Sequence, residues 1–211
     1  MTTRDELLAA AAATLADVGL AGASARSIAA RAQVNQALIF YHFGSVSELL
    51  EAAVRSSVDA ALADYRERLA DVETVAGLVA LARELHSVEK ARGNVAQMTQ
   101  VLAGAQRDAT LARAATYAIT AWRDEVEVAL RRVLATSALR DVVDPAAIAA
   151  TATAGFIGLS LYEGVDPDGA EAALGSLDVL AALAEVIDGL GPVTTRVVRS
   201  RLRHLVPAAR G

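Results

Sequence analysis

Apolar residues recur at helical spacing along nearly the whole chain, and β-branched runs stay short, so the pattern predicts helix almost throughout. In "RDELLAAAAATLADV", residues 4 to 18, Leu7, Ala11, Leu15 and Val18 fall at i, i+4, i+8 and i+11, which makes one apolar stripe. Asp5 and Glu6 stand in its first turn, where the helix dipole favours acids, and Gly19 stops it. Ser24 is placed to cap a short helix ending near Arg31 or Ala32, with Ile28 and Ala29 facing inward. After a three-residue turn, Asn35 can cap a second short helix running to about Phe43.

The run Ser45-Val46-Ser47-Glu48 matches a capping box and opens a long helix whose buried face carries Leu50, Val54, Val58, Ala61, Tyr65 and Leu69. Further helices are expected over 74–90, 94–105, 108–136, 145–163, 169–189 and 192–206, broken at Gly93, Asp144-Pro145, "EGVDPDG" and Gly191-Pro192. The expected fold class is all-α, with three short helices in the first fifty residues ahead of a larger helical portion.

Composition narrows the class. With 211 residues and 54% hydrophobic against 21% charged, the chain is long and apolar enough to bury a substantial core. Cysteine is absent, which removes disulfides and thiolate metal sites. The start "MTTRDELLAA" has acids where a signal peptide needs a basic region, so a cytoplasmic location is expected. "PAAIAATATAGFIGLSLY", residues 145 to 162, carries no charge over the length of a membrane span, but it is mostly Ala, Thr and Gly and lacks flanking basic residues; a buried helix is the expectation. The net charge of −5 argues against a general nucleic-acid coat and leaves room for a local DNA-reading surface.

Candidate chemistry concentrates at Phe40-Tyr41-His42-Phe43, in a chain poor in aromatics. Two short helices three residues apart, with Ala29 facing the second helix and Val34 plugging the turn, form a helix-turn-helix pattern; a helical hairpin that only packs has the same pattern. The segment "LLAAAAATLADVGLAGASARSIAARAQVNQALIFYHFGSVSELLEAAV", residues 7 to 54, resembles the DNA-binding domain of the tetracycline-repressor family of transcription regulators, matching at Ile28-Ala29, Val34, Tyr41-His42-Phe43, Ser45 and Glu48-Leu49-Leu50.

The resemblance implies that the second short helix enters the major groove, with Gln36, Ala37, Leu38, Tyr41 and His42 facing DNA and Ile39, Phe40 and Phe43 largely or partly inward. Gln36 can pair with adenine or a phosphate, and Ala37 or Leu38 can touch a thymine methyl. Tyr41 and His42 would bond phosphates, while Ser24 and Arg26 would meet backbone or a base edge. Family members commonly carry Lys where Val46 stands and often Gly where Gln33 stands; Leu38 and Phe40 also depart from commoner residues. In residues 1 to 50, Arg4, Arg26 and Arg31 face Asp5, Glu6, Asp17 and Glu48, a net charge of −1, which implies a shallow salt dependence of DNA binding.

Beyond this segment, Ala150, Ala154 and Gly158 form a ridge of small side chains on the uncharged helix, flanked by Ile148, Phe156 and Leu159, and Leu177, Leu180, Ala184 and Ile187 form a companion stripe. Core packing within one subunit would use them equally well; the resemblance implies that two late helices pair across a two-fold axis, making a homodimer. Gln97, Met98, Val101, Leu102, Tyr117, Trp122, Phe156 and Tyr162 could line a mostly apolar effector cavity, or belong to core and interface. His86 and Glu89, three apart on one face, lack the partner residues of a bundle metal site and are expected as a solvated or capping pair. In "VTTRVVRSRLRHL", Arg196, Arg199 and Arg203 oppose Val198, Leu202 and Leu205, with His204 beside them, an amphipathic basic helix whose charges meet water.

The sequence reading is therefore a helix-turn-helix domain over 1–47 and a helical ligand-binding and dimerisation domain over 48–211. A double-stranded DNA operator, a second copy and a small, mostly apolar effector are the expected partners, with no metal, cofactor or membrane. No Ser/His/Asp or Cys/His set and no phosphate-cradling glycine loop is present, so an enzyme reading would rest on His86 and Glu89 alone. The other alternative is a helical dimeric ligand binder with little DNA binding.

Overall fold

The computed structural model describes residues 2–137, 139–190, 194, 196, 197, 200 and 201. Among them the elements are α1 (Thr3–Gly22), α2 (Ala25–Ala32), α3 (Ala37–Phe43), α4 (Val46–Asp71), α5 (Val75–Ala91), α6 (Asn94–Ala105), α7 (Ala109–Ala135), α8 (Pro145–Glu163) and α9 (Pro167–Asp188). No strand occurs among the described residues. Most of the basic amphipathic segment at 192–206, including Arg199, Arg203 and His204, lies outside the described residues.

Local chemistry sets the helix starts. Thr2 and Asp5 form a reciprocal capping box at α1, and the bonds from Thr2 hold the Asp5 carboxyl below the usual carboxylate range. Ser24 caps α2 by accepting from Ser27 N, and Ser45 caps α4 by accepting from Glu48 N at 3.1 Å. Asp144 and Asp166 cap α8 and α9, each followed by a proline whose missing N–H costs nothing at a first helical turn. Gly19, with φ of 69°, interrupts α1 where Leu20 N donates to Gln100 Oε1; a Cβ at Gly19 would meet that oxygen at 2.9 Å.

The chain divides into two compact units. The first contains residues 1–64 and 86–121. Its core is built from Leu7, Ala11 and Leu15 of α1, Ile28 of α2, Ile39 of α3, Leu49 and Val54 of α4, Val101 of α6 and Leu111 of α7. Val18 departs from the expected stripe and is exposed: it stands immediately before the break at Gly19 and lies over Gly22.

Asp108 ties two elements of this unit together. It accepts from Ser47 Oγ at 2.8 Å and from the backbone N–H groups of Thr110 and Leu111, capping α7. The Ser47 bond, reinforced by these N–H groups, holds its carboxyl below the usual range. A carboxyl depressed in the folded state stabilises fully above its unfolded pKa and loses that contribution as pH falls through the folded value. Asp108→Ala should therefore cost about 1 kcal/mol at neutral pH, the worth of a cap, or about 2–4 °C in melting temperature. Thermal melts should show the gap between the two proteins constant above pH about 5 and shrinking below pH about 4.

The second unit contains residues 65–85 and 122–211. One cluster joins Tyr65, Leu69, Leu81 and Ala129, with Trp122 packed on it; another joins Leu130, Leu134 and Ala149. Arg132 donates to the carbonyls of Leu69 and Val72, and Arg83 bridges to Glu171 and Asp178 on α9 at 2.6 and 2.7 Å. Helices α8 and α9 pack on each other, with Ala149, Ala170, Ala181 and Ala184 buried.

Helix α8 corrects the expectation of a buried helix, since Ala149 alone of its residues is buried within this chain. By length and composition α8 is the one described helix apolar enough to cross a membrane on its own. Its exposure follows from its side chains: small residues let a neighbour approach closely, and among the described residues it meets α9, and Leu130 and Leu134 of α7 at Ala149.

Candidate nucleic-acid interface

Helices α2 and α3 are joined by a turn in which Val34 N donates to Ala29 O at 3.0 Å and Val34 is half-buried. Gln33 closes α2 in the left-handed region, at φ 57° and ψ 37°, which costs a non-glycine residue about 1–2 kcal/mol. That backbone explains why glycine suits the position. Gln36 already has helical angles, so the cap of α3 is Asn35, whose side-chain oxygen accepts from Ala37 N at 2.9 Å. Helix α3 then ends at Gly44, φ 81°, where a Cβ would meet Glu48 Oε2 at 2.6 Å, and α4 leaves at 66° to α3.

Ile39 is fully buried and Phe43 half-buried, one turn apart on the inner face. Phe40 is 50% exposed, which corrects its expected inward placement: it is about 100° round the helix from Ile39, toward Tyr41. The outer face thus presents Gln36, Ala37, Phe40, Tyr41 at 81% exposure, and His42, with Leu38 at its margin. Tyr41 and His42 meet edge to face at 5.0 Å between centroids, and His42 and Phe43 at 6.3 Å. Ser24 and Arg26 are exposed at the start of α2, and Arg26 has no ion pair among the described residues. Arg31 is bound to Asp17.

Sequence reasoning missed Arg4, whose guanidinium lies 5.2 Å from the Phe43 ring centroid. Its only sequence signal was that it is one of three arginines in the first fifty residues.

The eight effector candidates fall into the two units. In the first, Gln97 and Val101 are buried, Met98 and Leu102 are half-buried, and the Gln97 Nε2 amide has no hydrogen-bond partner among the described residues. Tyr117 donates its hydroxyl to Asp59 and lines a surface groove of ≈450 Å³ with Arg55, Ala112, Arg113, Thr116 and Thr120. Arg55 stacks on Tyr117 at 4.3 Å, and Glu51 accepts from both Arg55 and Arg113, so the groove's charges are largely satisfied from within. In the second unit Trp122 packs against Tyr65 with ring centroids 6.1 Å apart, Phe156 is half-buried, and Tyr162 donates to Asp166 at 2.7 Å. That bond holds the Asp166 carboxyl low and raises the Tyr162 phenol.

His86 and Glu89 are both 5% exposed, correcting the expectation of a solvated pair; Glu89 accepts from Arg92 at 3.0 Å and from the Asn94 amide. No three His, Asp or Glu side chains gather as a metal site among the described residues.

On α8, Ala150, Ala154 and Gly158 are exposed, and a Cβ at Gly155 or Gly158 would meet nothing within 4 Å. On α9, Leu177 and Leu180 are exposed, Ile187 is half-buried, and Ala184 is turned into this chain's own packing. The exposed stripe is rotated one position from the expected one, through Val179, Leu180, Leu183 and Val186.

Comparison with known proteins agrees with this geometry. Residues 7–53 match the sequence model of bacterial regulatory proteins, tetR family. A transcriptional regulator from Rhodococcus sp. Rha1 is similar at 26% identity and a TM-score of 0.68, over 90% of this chain and 100% of that one. A TetR-family transcriptional regulator from Rhodococcus sp. is similar at 27% identity and a TM-score of 0.66, over 85% and 98%. At 12% identity, the transcriptional regulator FadR from Bacillus subtilis, solved with stearoyl-CoA, shares the fold at a TM-score of 0.67 over 84% and 96%. No protein of curated function matches the chain in sequence.

Proposed function

We infer from a chain that carries the tetR-family DNA-reading domain at residues 7–53, on the fold of tetR-family transcriptional regulators, that it binds a palindromic operator as a homodimer. In this reading it acts in the cytoplasm, and a small, mostly apolar effector releases it, making it a repressor. The observation that carries the reading is the exposed outer face of α3, held by buried Ile39 and bordered by free Arg26. Phosphate contacts from Tyr41, His42, Ser24 and Arg26 fix register; Gln36, Ala37 and Leu38 read base edges.

The reading domain is assigned to 1–47 and the sensing and pairing domain to 48–211. Pairing rests on the apolar residues left uncovered on α8 and α9, and it supplies the two-fold symmetry that a palindrome requires. Effector contacts are assigned within the first unit to Gln97, Met98, Val101, Leu102 and Tyr117. The unpartnered Gln97 amide supports them, since an effector acceptor would satisfy it. Release requires the effector to bind more tightly to a state whose two reading heads no longer fit the operator.

A mobility shift against DNA upstream of the chain's own coding sequence tests this. A retarded complex at low salt supports it; absence of any shift favours the second reading, a dimeric ligand binder, whose support is Val46 and the net acidic balance of residues 1–50. Within a shifted complex, Gln36→Ala should change preference among operator variants. Tyr41→Ala with His42→Ala should weaken all of them alike. Unchanged preference in Gln36→Ala would remove Gln36 from the base-reading set.

A further inference from the structure

We propose that Arg4, at the start of α1, is a phosphate-binding residue of the DNA interface, held in place by the ring of Phe43 at the end of α3. The proposal rests on the DNA-binding reading above. Of the three arginines in residues 1–50, Arg31 is committed to Asp17 and Arg26 stands on α2, leaving the far end of α3 without a cation of its own. Arg4 fills that gap through the tertiary fold, with its guanidinium 5.2 Å from the Phe43 centroid.

The adjoining carboxylate does not hold it: Asp5 is occupied by the Thr2 capping box. Arg4 forms no ion pair among the described residues and is exposed. A guanidinium over a ring face keeps its in-plane N–H donors available, and those donors match the oxygens of a phosphate. Phe43 meets His42, and His42 meets Tyr41, edge to face, so the exposed guanidinium over Phe43 stands at the C-terminal end of the row of rings whose outward members are Tyr41 and His42. A cation at this place compensates for Val46, three residues beyond Phe43, which cannot contact a phosphate by charge.

The test is fluorescence anisotropy of the full chain with a labelled duplex spanning the DNA upstream of its own coding sequence, across a salt series, with thermal melts in parallel. Arg4→Gln, counted in two subunits, should flatten the log-log salt slope by about 1.8 and weaken binding at about 0.15 M salt roughly 30-fold. Arg4→Lys, which keeps the charge, should retain the slope. If the wild type binds and Arg4→Gln leaves slope and affinity unchanged, the proposal is overturned while the DNA reading stands. If Arg4→Gln lowers the melting temperature and weakens binding with an unaltered slope, Arg4 only staples α1 to α3, and the proposal is again overturned. A wild type that binds no duplex at low salt overturns both.

Discussion

Leu183→Glu should convert the chain from a dimer into a 21.8 kDa monomer at micromolar concentration and remove most of its operator affinity. Leu183 is 54% exposed in the single chain, between Val179 and Val186 at 60% and 64% on one face of α9. Such a run of apolar side chains is stable in water only when something covers it. A second copy can do so, because the adjacent α8 presents Gly155 and Gly158 with open space over them, allowing close helix approach.

A two-fold interface places each substituted glutamate twice, and burying an unpaired charge costs several kcal/mol per ion, so the dimer should weaken roughly a thousandfold or more. Two reading heads on one dimer bind with an affinity enhanced by about 10²–10⁴ through effective concentration, and a monomer loses that gain. Sedimentation velocity and the mobility shift measure the two effects. A variant that remains dimeric would place the pairing surface elsewhere, and a monomeric wild type would remove it altogether.

The next largest effect is expected at Ile39, set against its neighbour Phe40. Ile39→Ala empties a fully buried position that anchors α3 to the domain. Its cost is about 2–5 kcal/mol, and a chain of this size loses about 2–4 °C per kcal/mol, so melting should fall by roughly 5–15 °C. DNA binding should fall with it, because α3 has no other fully buried side chain to fix its roll.

Phe40→Ala removes a larger side chain, half of which is already in solvent, so its melting temperature should stay within about 2 °C of the wild type. Its expected effect is on DNA affinity, through the outer face it shares with Tyr41. Equal destabilisation by the two substitutions would contradict the placement of Phe40, and differential scanning fluorimetry on the pair decides it.

The contrast between Ile39 and Phe40 shows where sequence pattern runs out. Six hydrophobic residues in a seven-residue helix leave several rolls about its axis compatible with a buried face; the packing of Ile39 between its neighbours selects one. Helix α8 makes the same point on a larger scale: its composition called for burial, and composition carries no information on which chain provides it. His86 and Glu89 looked solvated because their spacing suits a surface pair, whereas Asn94, five residues beyond Glu89, and Arg92 satisfy Glu89 away from solvent.

What the sequence determined by itself was everything governed by contacts a few residues apart. Caps at Ser24, Asn35 and Ser45 and the breaks at Gly19, Gly93 and Asp144-Pro145 act within one helical turn, so the helix limits and the helix-turn-helix spacing were legible to within a few residues, and with them the all-α class. Only the tertiary structure decided the rest: that Phe40 turns outward, that α8 and α9 keep an uncovered apolar face, and that Arg4 rests on Phe43, thirty-nine positions away. Capping and periodicity are short-range properties of the chain, whereas burial and ring stacking depend on which distant surfaces meet, and a one-dimensional pattern specifies that only after the chain has folded.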